Sequence, residues 1–312
     1  MTRYVLRRLL ALVPTWLGIS LAAFVLAGLA PGDPAQLILD RQMDEPPTPQ
    51  QLQEFREANG LDDPRAVQYG RFVIGLFQGQ LGTSFRSGQP VLNELVERVP
   101  TTLAVALPAF ALALTIALMI GVLSAVRRNS FMDHGSRVAA LMSDSVPTFV
   151  LAYALIIVLA VQAGLLPVAG RGTWQHLVLP VLTLALGTTA SLMRLTRSSM
   201  LEVRGEDYVR TARAMGFPSW SVILRHALRN ALLPVVTVAG IVLAGFVTGT
   251  VIVETIFALP GVGTFVVDAI FARDYPVIQG FVVFTGTVFL LVNLVVDLLQ
   301  AALDPRIRLE AA

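Results

Sequence analysis

Residues Glu206 to Pro234 read EDYVRTARAMGFPSWSVILRHALRNALLP and form a charged segment between two long, uncharged hydrophobic runs. Runs of that kind are typical of helices that cross a membrane, so the charged segment is predicted to lie on one membrane face. Its apolar residues recur with helical spacing on both sides of a Gly-Phe-Pro sequence. The segment therefore predicts a membrane protein with an ordered loop of two helices.

Each of the two predicted loop helices has an apolar face. In the first helix Glu206 precedes Arg210 by four residues, the favourable order for an ion pair, and Gly216 ends the helix. Its face consists of Tyr208, Thr211, Ala212 and Met215. In the second helix Pro218 is expected in the first turn, where its missing N–H is harmless. Its apolar stripe consists of Trp220, Ile223, Leu224, Ala227 and Leu228.

The composition supports a multi-pass membrane protein and excludes several kinds of chemistry. Of 312 residues, 55% are hydrophobic and 14% are charged. All 23 basic residues are arginine, and without lysine the chain cannot itself be a P-loop ATPase or a pyridoxal enzyme. The lack of cysteine excludes disulfides and thiolate ligands, and three dispersed histidines predict no metal site. The arginines lie at membrane boundaries, so no nucleic-acid partner is expected.

Six runs are long enough, or nearly so, for helices that cross a hydrocarbon core of about 30 Å. The first lies within residues 1–30, and a five-helix core is predicted over residues 101–303. The spans of that core are about 101–126, 138–162, 177–199, 231–253 and 275–300. Pro14 and Pro108 fall inside runs and predict kinks, whereas Pro147 and Pro180 lie near the starts of their helices. The sequence thus predicts an all-α integral membrane protein.

The arginines predict which side of the membrane each loop occupies. They cluster before the first span, between the second and third, between the fourth and fifth, and after the sixth. By the positive-inside rule that side is cytoplasmic, and it holds both termini, the loop at 204–234 and a tail at 304–312. Residues 31–100 and 254–274 are then outside. A cleaved signal peptide is the alternative for the first run, but 22 apolar residues exceed the usual length and favour a retained span.

The outer segment, residues 31–100, is predicted to contain structure of its own. Gln50 to Asn59 fits a short polar helix, and Gly79 to Gln89 fits a glycine-rich loop. The apolar spacing after that loop predicts an amphipathic helix lying on the membrane surface. Its apolar positions are Val91, Leu95, Val96 and Val99.

Charged and polar residues within the spans are candidates for a translocation path, because burying them in lipid is costly. Asp144 lies between two serines just before Pro147, and it either faces a pore or caps and anchors the third helix. Asn293 and Asp297 on the last helix either line the path or pair with a neighbouring helix. Arg194 and Arg197 are expected only to flank the fourth span.

With this topology, the chain resembles the inner-membrane permease subunits of bacterial ABC importers, in the oligopeptide, dipeptide and nickel branch. The segments DYVRTARAMG and LRHALRNALLP look like the cytoplasmic EAA loop in its peptide-permease form. They depart from the generic EAA pattern, of which only the alanine at Ala212 remains. Three further stretches resemble peptide permeases at matching positions: LRRLLALVPTWLGIS, LGTSFRSGQPVLNELVERVPTTL and ETIFALPGVGTFVVDAIFARDYPVIQG.

The resemblance implies a type I importer permease fold and a non-catalytic transport subunit of the bacterial plasma (inner) membrane. It implies that the 204–234 loop docks on cytoplasmic ATPase subunits, which bind the ATP and magnesium, so that no catalytic residue, metal or cofactor is expected in this chain. The implied partners are a second, paralogous permease, two ATPase subunits or domains, an extracytoplasmic solute-binding protein and the lipid bilayer. The implied coupling residues are Glu206, Asp207, Tyr208, Arg210, Thr211, Ala212, Arg213, Ala214, Gly216 and Pro218.

The cargo that the resemblance implies is a dipeptide or an oligopeptide, with nickel and glutathione as alternatives in the same branch. A self-sufficient secondary transporter is an alternative of another class, and it would call for internal repeats and prominent mid-membrane carboxylates. A membrane enzyme or receptor would call for a clustered set of catalytic side chains, which the sequence does not suggest.

Overall fold

The computed structural model describes residues 2–29, 33–43 and 45–303. Within these residues the secondary structure is helical, apart from one isolated antiparallel bridge between Thr83 and Pro90. The fold class predicted from the sequence is therefore confirmed. The predicted tail at 304–312 lies outside the described residues.

The helices in chain order are α1 (Thr2–Gly28), α2 (Pro34–Gln42), α3 (Pro49–Asn59), α4 (Arg65–Phe77), α5 (Val91–Val126), α6 (Phe131–Ser145), α7 (Thr148–Leu155), α8 (Gln175–Val203), α9 (Asp207–Ala214), α10 (Ser219–Ser221), α11 (Leu228–Val247), α12 (Val251–Ile256), α13 (Val262–Phe271) and α14 (Tyr275–Leu303). Two π-helical segments extend this set: Ile156–Gln162 continues α7, and Val222–Ala227 joins α10 to α11. The helices α1 and α5 continue through Pro14 and Pro108 without a break.

Five described segments are long and apolar enough to cross a membrane, and a sixth is present if one bent pair counts as a single span. The five are Val5–Gly28, Val91–Val126, Gln175–Val203, Ser219–Ile256 and Tyr275–Leu303. The bent pair is Phe131–Ser145 with Thr148–Gln162, at 102°. The third predicted span, 138–162, is therefore not one straight helix but is divided at Val146 and Pro147. Val146 adopts an extended conformation because the ring of Pro147 disfavours a helical residue before it.

The second and fifth spans also begin or end elsewhere than predicted. The expected surface helix at Val91 is instead the first part of α5, a single helix of 36 residues in which Val91 and Leu95 are buried. The second loop helix runs from Ser219 directly into α11, so loop and fifth span form one rod. That rod is interrupted before 253, because Gly249 has a φ of 116° that helical residues do not adopt.

The predictions for the outer segment are otherwise confirmed. The polar helix forms as α3, with a capping box in which Thr48 and Gln51 exchange side-chain and backbone hydrogen bonds. Residues 79–89 form a loop, as their glycine content predicts.

The chain divides into two compact units. The first comprises Met1–Leu9, Thr101–Gly263 and Val288–Ala312, and its core is built around α5, α8 and α11. The second comprises Leu10–Pro100 and Thr264–Thr287. In the second unit Trp16 donates a hydrogen bond to Thr287 at 3.0 Å. The candidate coupling loop, 204–234, belongs to the first unit.

Candidate functional site

The short helix α9 is anchored to its own chain by two apolar side chains. Val209 and Ala212 are buried and pack in one cluster. The other buried members of that cluster are Ala125, Met200, Val222, Ala227 and Ala231. They come from α5, α8 and the rod that begins at Ser219. Because all three elements hold α9, it is a fixed part of the first unit and not a free loop.

Polar contacts fasten α9 further. The side-chain amide of Asn230 donates to the hydroxyl of Tyr208 at 2.7 Å. The guanidinium of Arg204, just after α8, donates to the backbone carbonyl of Ala125. Burial, and after it the nearby charge of Arg213, lowers the pKa of Arg204. The bond from Arg204 thus joins the end of α8, where the loop begins, to the end of α5.

The structure corrects the predicted faces of α9. Ala212 points into the chain's own core, so its small side chain is not offered to a partner as expected. Val209 is buried on the same face of α9 as Ala212, whereas Tyr208, Thr211 and Met215 are exposed. The predicted pair between Glu206 and Arg210 is replaced by an exposed contact of Arg210 with Asp207 at 3.3 Å, since Glu206 is the N-cap residue.

The remaining predicted coupling residues are exposed. Gly216 ends α9 with a φ of 81°, a left-handed conformation that glycine adopts without strain. Pro218 is the N-cap of α10 and does not occupy its first turn. The exposed set is Glu206, Asp207, Tyr208, Arg210, Thr211, Arg213, Ala214, Gly216 and Pro218.

The π-helical segment Val222–Ala227 changes the second predicted stripe, of which Ile223, Ala227 and Leu228 pack in the cluster that holds α9. A π-helix has more residues per turn than an α-helix, and its bonds run from residue i to i+5. Val222 and Ala227, five apart, are both buried. Trp220 and Leu224, which α-helical spacing placed on the same face, are exposed instead.

Large apolar side chains are exposed at the turn between the two loop helices. Met215 is 66% exposed, Trp220 is 68% exposed, and Phe217 between them is also exposed. We call these three residues the apolar knob. Exposed apolar residues that stand together and are rimmed by charges are typical of a protein-docking surface.

Asp144 forms an ion pair with Arg194, and each side chain is about one-third exposed. Ser143 beside it donates to the carbonyl of Leu186 in α8 at 3.2 Å. These contacts join the end of α6 to α8 just before the bend at Val146. The expectation that Arg194 only flanks its span is wrong, because its charge has a defined partner.

Arg197 was also expected only to flank the fourth span, and that expectation is wrong too. It binds Asp133 through two nitrogens, with Nε to Oδ1 at 2.6 Å and Nη2 to Oδ2 at 2.8 Å. The carboxylate is fully buried and also accepts from Ser124 Oγ and from the backbone N–H of Asn129. This network holds α5, α6 and α8 together.

The two path candidates on the last helix have different surroundings. Asp297 pairs with Arg8 at 3.2 Å, so it joins the first and last helices within the first unit. Asn293 is half-buried on α14, one turn before Asp297.

Two buried carboxylates in the predicted outer stretch were missed as functional candidates. Glu254 is fully buried and accepts from the hydroxyl of Thr102 at 2.7 Å, while that hydroxyl accepts from the N–H of Val262 at 2.9 Å. A Cβ atom at Gly261 would overlap the carboxylate. The only sequence signal for the buried position of Glu254 was that it follows a hydrophobic run and precedes a Pro-Gly-x-Gly turn.

In the second unit Asp274 is buried under the loop at 83–90. It accepts from Ser84 Oγ at 2.6 Å and from the backbone N–H groups of Phe85 and Arg86 at 3.0 and 3.1 Å. The same carboxylate thus satisfies three donors of one loop. Among the residues that the structure describes, no group of three or more His, Cys, Asp or Glu side chains is placed to hold a metal.

The chain matches two family models. The model described as binding-protein-dependent transport system inner membrane component matches residues 117–309, and the N-terminal model of the corresponding membrane components matches residues 1–106. The oligopeptide transport system permease protein AppB of Bacillus subtilis is 41% identical over 98% of this chain and 99% of its own length. The glutathione transport system permease protein GsiC of Salmonella paratyphi A is also 41% identical, over 99% of both chains.

A solved structure supports the fold. A chain of the MetNI methionine ABC transporter, solved in inward-facing conformations, has a TM-score of 0.55. It is 22% identical and covers 67% of this chain and 96% of its own. The family models and the 41% identical relatives confirm the resemblance seen in the sequence, together with a multi-pass position in the bacterial inner membrane. The chain belongs to the family of binding-protein-dependent transport system inner membrane components, the permease subunits of ABC importers.

Proposed function

We propose that this chain forms, with a second permease, the translocation path of a peptide importer, and that ATPase subunits drive it through the 204–234 loop. The observation that carries the coupling role is the apolar knob beside a helix that is fixed to its own bundle. Aromatic and methionine side chains are enriched in protein interfaces and contribute much of their binding energy. The charges of Asp207, Arg210 and Arg213 form a rim that sets the register of docking.

The coupling works because α9 cannot move alone. When an ATPase pair closes and displaces the knob, Val209 and Ala212 transmit the displacement to their packed neighbours on α5 and α8. Close-packed interiors transmit such strain with little compression. The permease core then changes between its inward-open and outward-open states.

The proposal assigns all chemistry to the partner subunits. ATP and magnesium bind to two ATPase subunits or domains, and this chain contributes no catalytic residue or cofactor. An extracytoplasmic solute-binding protein delivers the cargo. This division is supported by a sequence without lysine, which excludes a phosphate-binding P-loop in this chain.

Peptides are the cargo best supported by the names of similar proteins. AppB is named for oligopeptides and GsiC for glutathione, itself a small peptide, at the same identity to this chain. Glutathione or nickel transport is the alternative within the family. A self-sufficient secondary transporter is the alternative of another class, and it predicts uptake without the ATPases.

Asp144, Asn293 and Asp297 remain candidates for the path. Asp144 is the strongest of the three, because its pair with Arg194 is partly exposed beside the bend between α6 and α7. A charge pair of this kind offers an anionic and a cationic group to a zwitterionic peptide. Asp297 is better explained as a helix-joining residue, since its partner is Arg8.

The coupling role is tested by Trp220→Ala in the complete importer. Loss of a central interface tryptophan is expected to weaken ATPase binding by about tenfold or more. Phe131→Ala is the matched control, because Phe131 is 94% exposed at the start of α6, outside the 204–234 loop. Binding is measured by titrating purified ATPase onto the permease pair in detergent.

Unchanged ATPase affinity in Trp220→Ala would refute docking through the knob without touching the cargo assignment. The cargo is tested separately in vesicles that contain the whole complex and its binding protein. Uptake of labelled dipeptide must require ATP and must be absent without the ATPases. Uptake driven by an ion gradient alone would instead support the secondary transporter.

A further inference from the structure

A groove of about 450 Å³ lies on the first unit between α5, α11 and α14. Every residue that lines it is apolar, and only Leu232 of the lining belongs to the 204–234 loop. None of the three path candidates lines it. Its volume lies within the range typical of small-ligand sites. We call it the α5–α11–α14 groove.

The groove extends through one half of the membrane. Its lining on α11 runs from Leu232 to Leu243, which is about 16 Å along a helix axis and about half of a 30 Å hydrocarbon core. Leu232 lies in the loop-proximal turns of α11, and Leu299 of the lining lies near the end of α14. The start of α11 and the end of α14 are both on the side of the membrane that the arginines predict to be cytoplasmic. The groove thus corresponds in depth to the cytoplasmic leaflet.

The lining differs from a surface made for another helix. Helix contacts inside membranes are enriched in small residues, which let two backbones approach. Here the lining is mainly leucine and valine, and the small residue Gly240 is already filled by Val296 of the same chain. By contrast Gly121 shows what a helix contact looks like, since a Cβ there would lie 2.7 Å from Thr196. A flexible acyl chain suits the groove better than a helix.

A cationic group stands at the cytoplasmic end of the groove. Arg229 lies one turn before Leu232, and its Nε donates to the carbonyl of Leu303, one turn after Leu299, at 3.1 Å. The bond therefore joins the two helices that form this end. Guanidinium has five N–H donors, and within the described residues the terminal nitrogens of Arg229 make no hydrogen bond or ion pair. They are placed to receive an anion.

We propose that the α5–α11–α14 groove binds one acyl chain of an anionic phospholipid from the cytoplasmic leaflet, with the lipid phosphate on Arg229. Arginine and phosphate form strong, charge-assisted hydrogen bonds, and basic sites between membrane helices on this side are suited to anionic head groups. A zwitterionic lipid is disfavoured because its ammonium group would lie near the guanidinium. The proposal does not depend on the cargo.

The test uses the whole importer complex in phosphatidylcholine vesicles that contain phosphatidylglycerol with a photoreactive acyl chain. After illumination, adducts are mapped by mass spectrometry. The expected result is labelling concentrated at residues 232–243 and 291–299. Labelling spread evenly over the exposed leucines of α1 would overturn the proposal, because it would indicate ordinary solvation by lipid. Cross-links between these segments and the second permease would overturn it as well.

Three variants sharpen the test. Arg229→Gln is expected to lower phosphatidylglycerol labelling of the groove by about tenfold, the size of one charge-assisted hydrogen bond. Arg225→Gln removes an exposed charge one turn earlier on the same rod and is expected to leave labelling unchanged. Val236→Phe fills the groove and should lower labelling while Arg229 is intact. Equal labelling in Arg229→Gln and in the unaltered chain would refute the role of the phosphate.

Discussion

At the scale of single residues, Ala212 and Ala214 lie two positions apart on α9 and have opposite surroundings. Ala212 is 2% exposed in a packed cluster, whereas Ala214 is on the open surface. Both belong to the coupling residues that the family resemblance implies, so both were expected to contact a partner. The difference arises because Val209 and Ala212, three apart, share the helix face that packs on the bundle.

Replacing each alanine with leucine separates packing from docking. Ala212→Leu overpacks the cluster and is expected to lower the free energy of unfolding by about 1–3 kcal/mol. Ala214→Leu adds the same side chain at the surface and is expected to change it by less than about 0.5 kcal/mol, yet to hinder ATPase docking. Thermal unfolding of the purified permease and ATPase titration measure the two effects. Equal melting temperatures for both variants would contradict the assigned faces.

At the scale of elements, the loop at 83–90 is held by a carboxylate from a distant part of the sequence. Asp274 accepts three hydrogen bonds from Ser84, Phe85 and Arg86. A buried carboxylate with several N–H and O–H donors orders a loop that is otherwise rich in glycine and exposed backbone. The loop precedes α5, and Asp274 directly precedes α14.

Asp274→Ala is expected to release this loop while the helices stay folded. Arg86 is exposed, so trypsin added from the outer side should cut there several times faster in the variant. Asp268→Ala, at an exposed position on α13, is the matched control and should leave cleavage unchanged. Cleavage is followed by gel on right-side-out membrane vesicles. An unchanged cleavage rate in Asp274→Ala would show that the loop is held by other contacts.

Sequence patterns predicted elements best where local chemistry decides them. The polar helix α3 and the end of α9 at Gly216 follow from a capping box and a glycine. The break before Pro147 has a local signal in the proline itself, but the long apolar run around it favours one continuous helix. The π-helical segment at Val222 could not be predicted from the sequence, since its register depends on packing against α9 and α5.

At the scale of the whole molecule, the arginine distribution predicts which surfaces face the cytoplasm. The native chain has no cysteine, so one introduced thiol reports its own location. Glu57→Cys in α3 is expected to react with a membrane-impermeant maleimide in right-side-out vesicles. Asp207→Cys in α9 is expected to react only in inverted vesicles. Both residues are exposed, and labelling of either from the opposite side would contradict the orientation.

The family and the cytoplasmic loop could be predicted from the sequence because both depend on patterns of adjacent residues. The ion pairs Asp133–Arg197 and Asp144–Arg194 could not, because their partners are 64 and 50 positions apart. The apolar knob was likewise missed, since an exposed tryptophan and a packed one look alike in a hydrophobic stripe. Which charges line the path stays a prediction.

The helix α5 contacts both the coupling loop and, within the same first unit, the turn between Glu254 and Val262 on the predicted outer side. At one end Ala125 packs with α9, and at the other end Thr102 forms hydrogen bonds with Glu254 and with the N–H of Val262. Ala125 and Thr102 are about 35 Å apart along the axis of α5. A helix bends gently but hardly shortens, so neither end can shift without the other responding at once. We therefore expect inner and outer rearrangements to occur in one step. A state with both ends open, through which ions would leak, is thereby avoided by the stiffness of one helix.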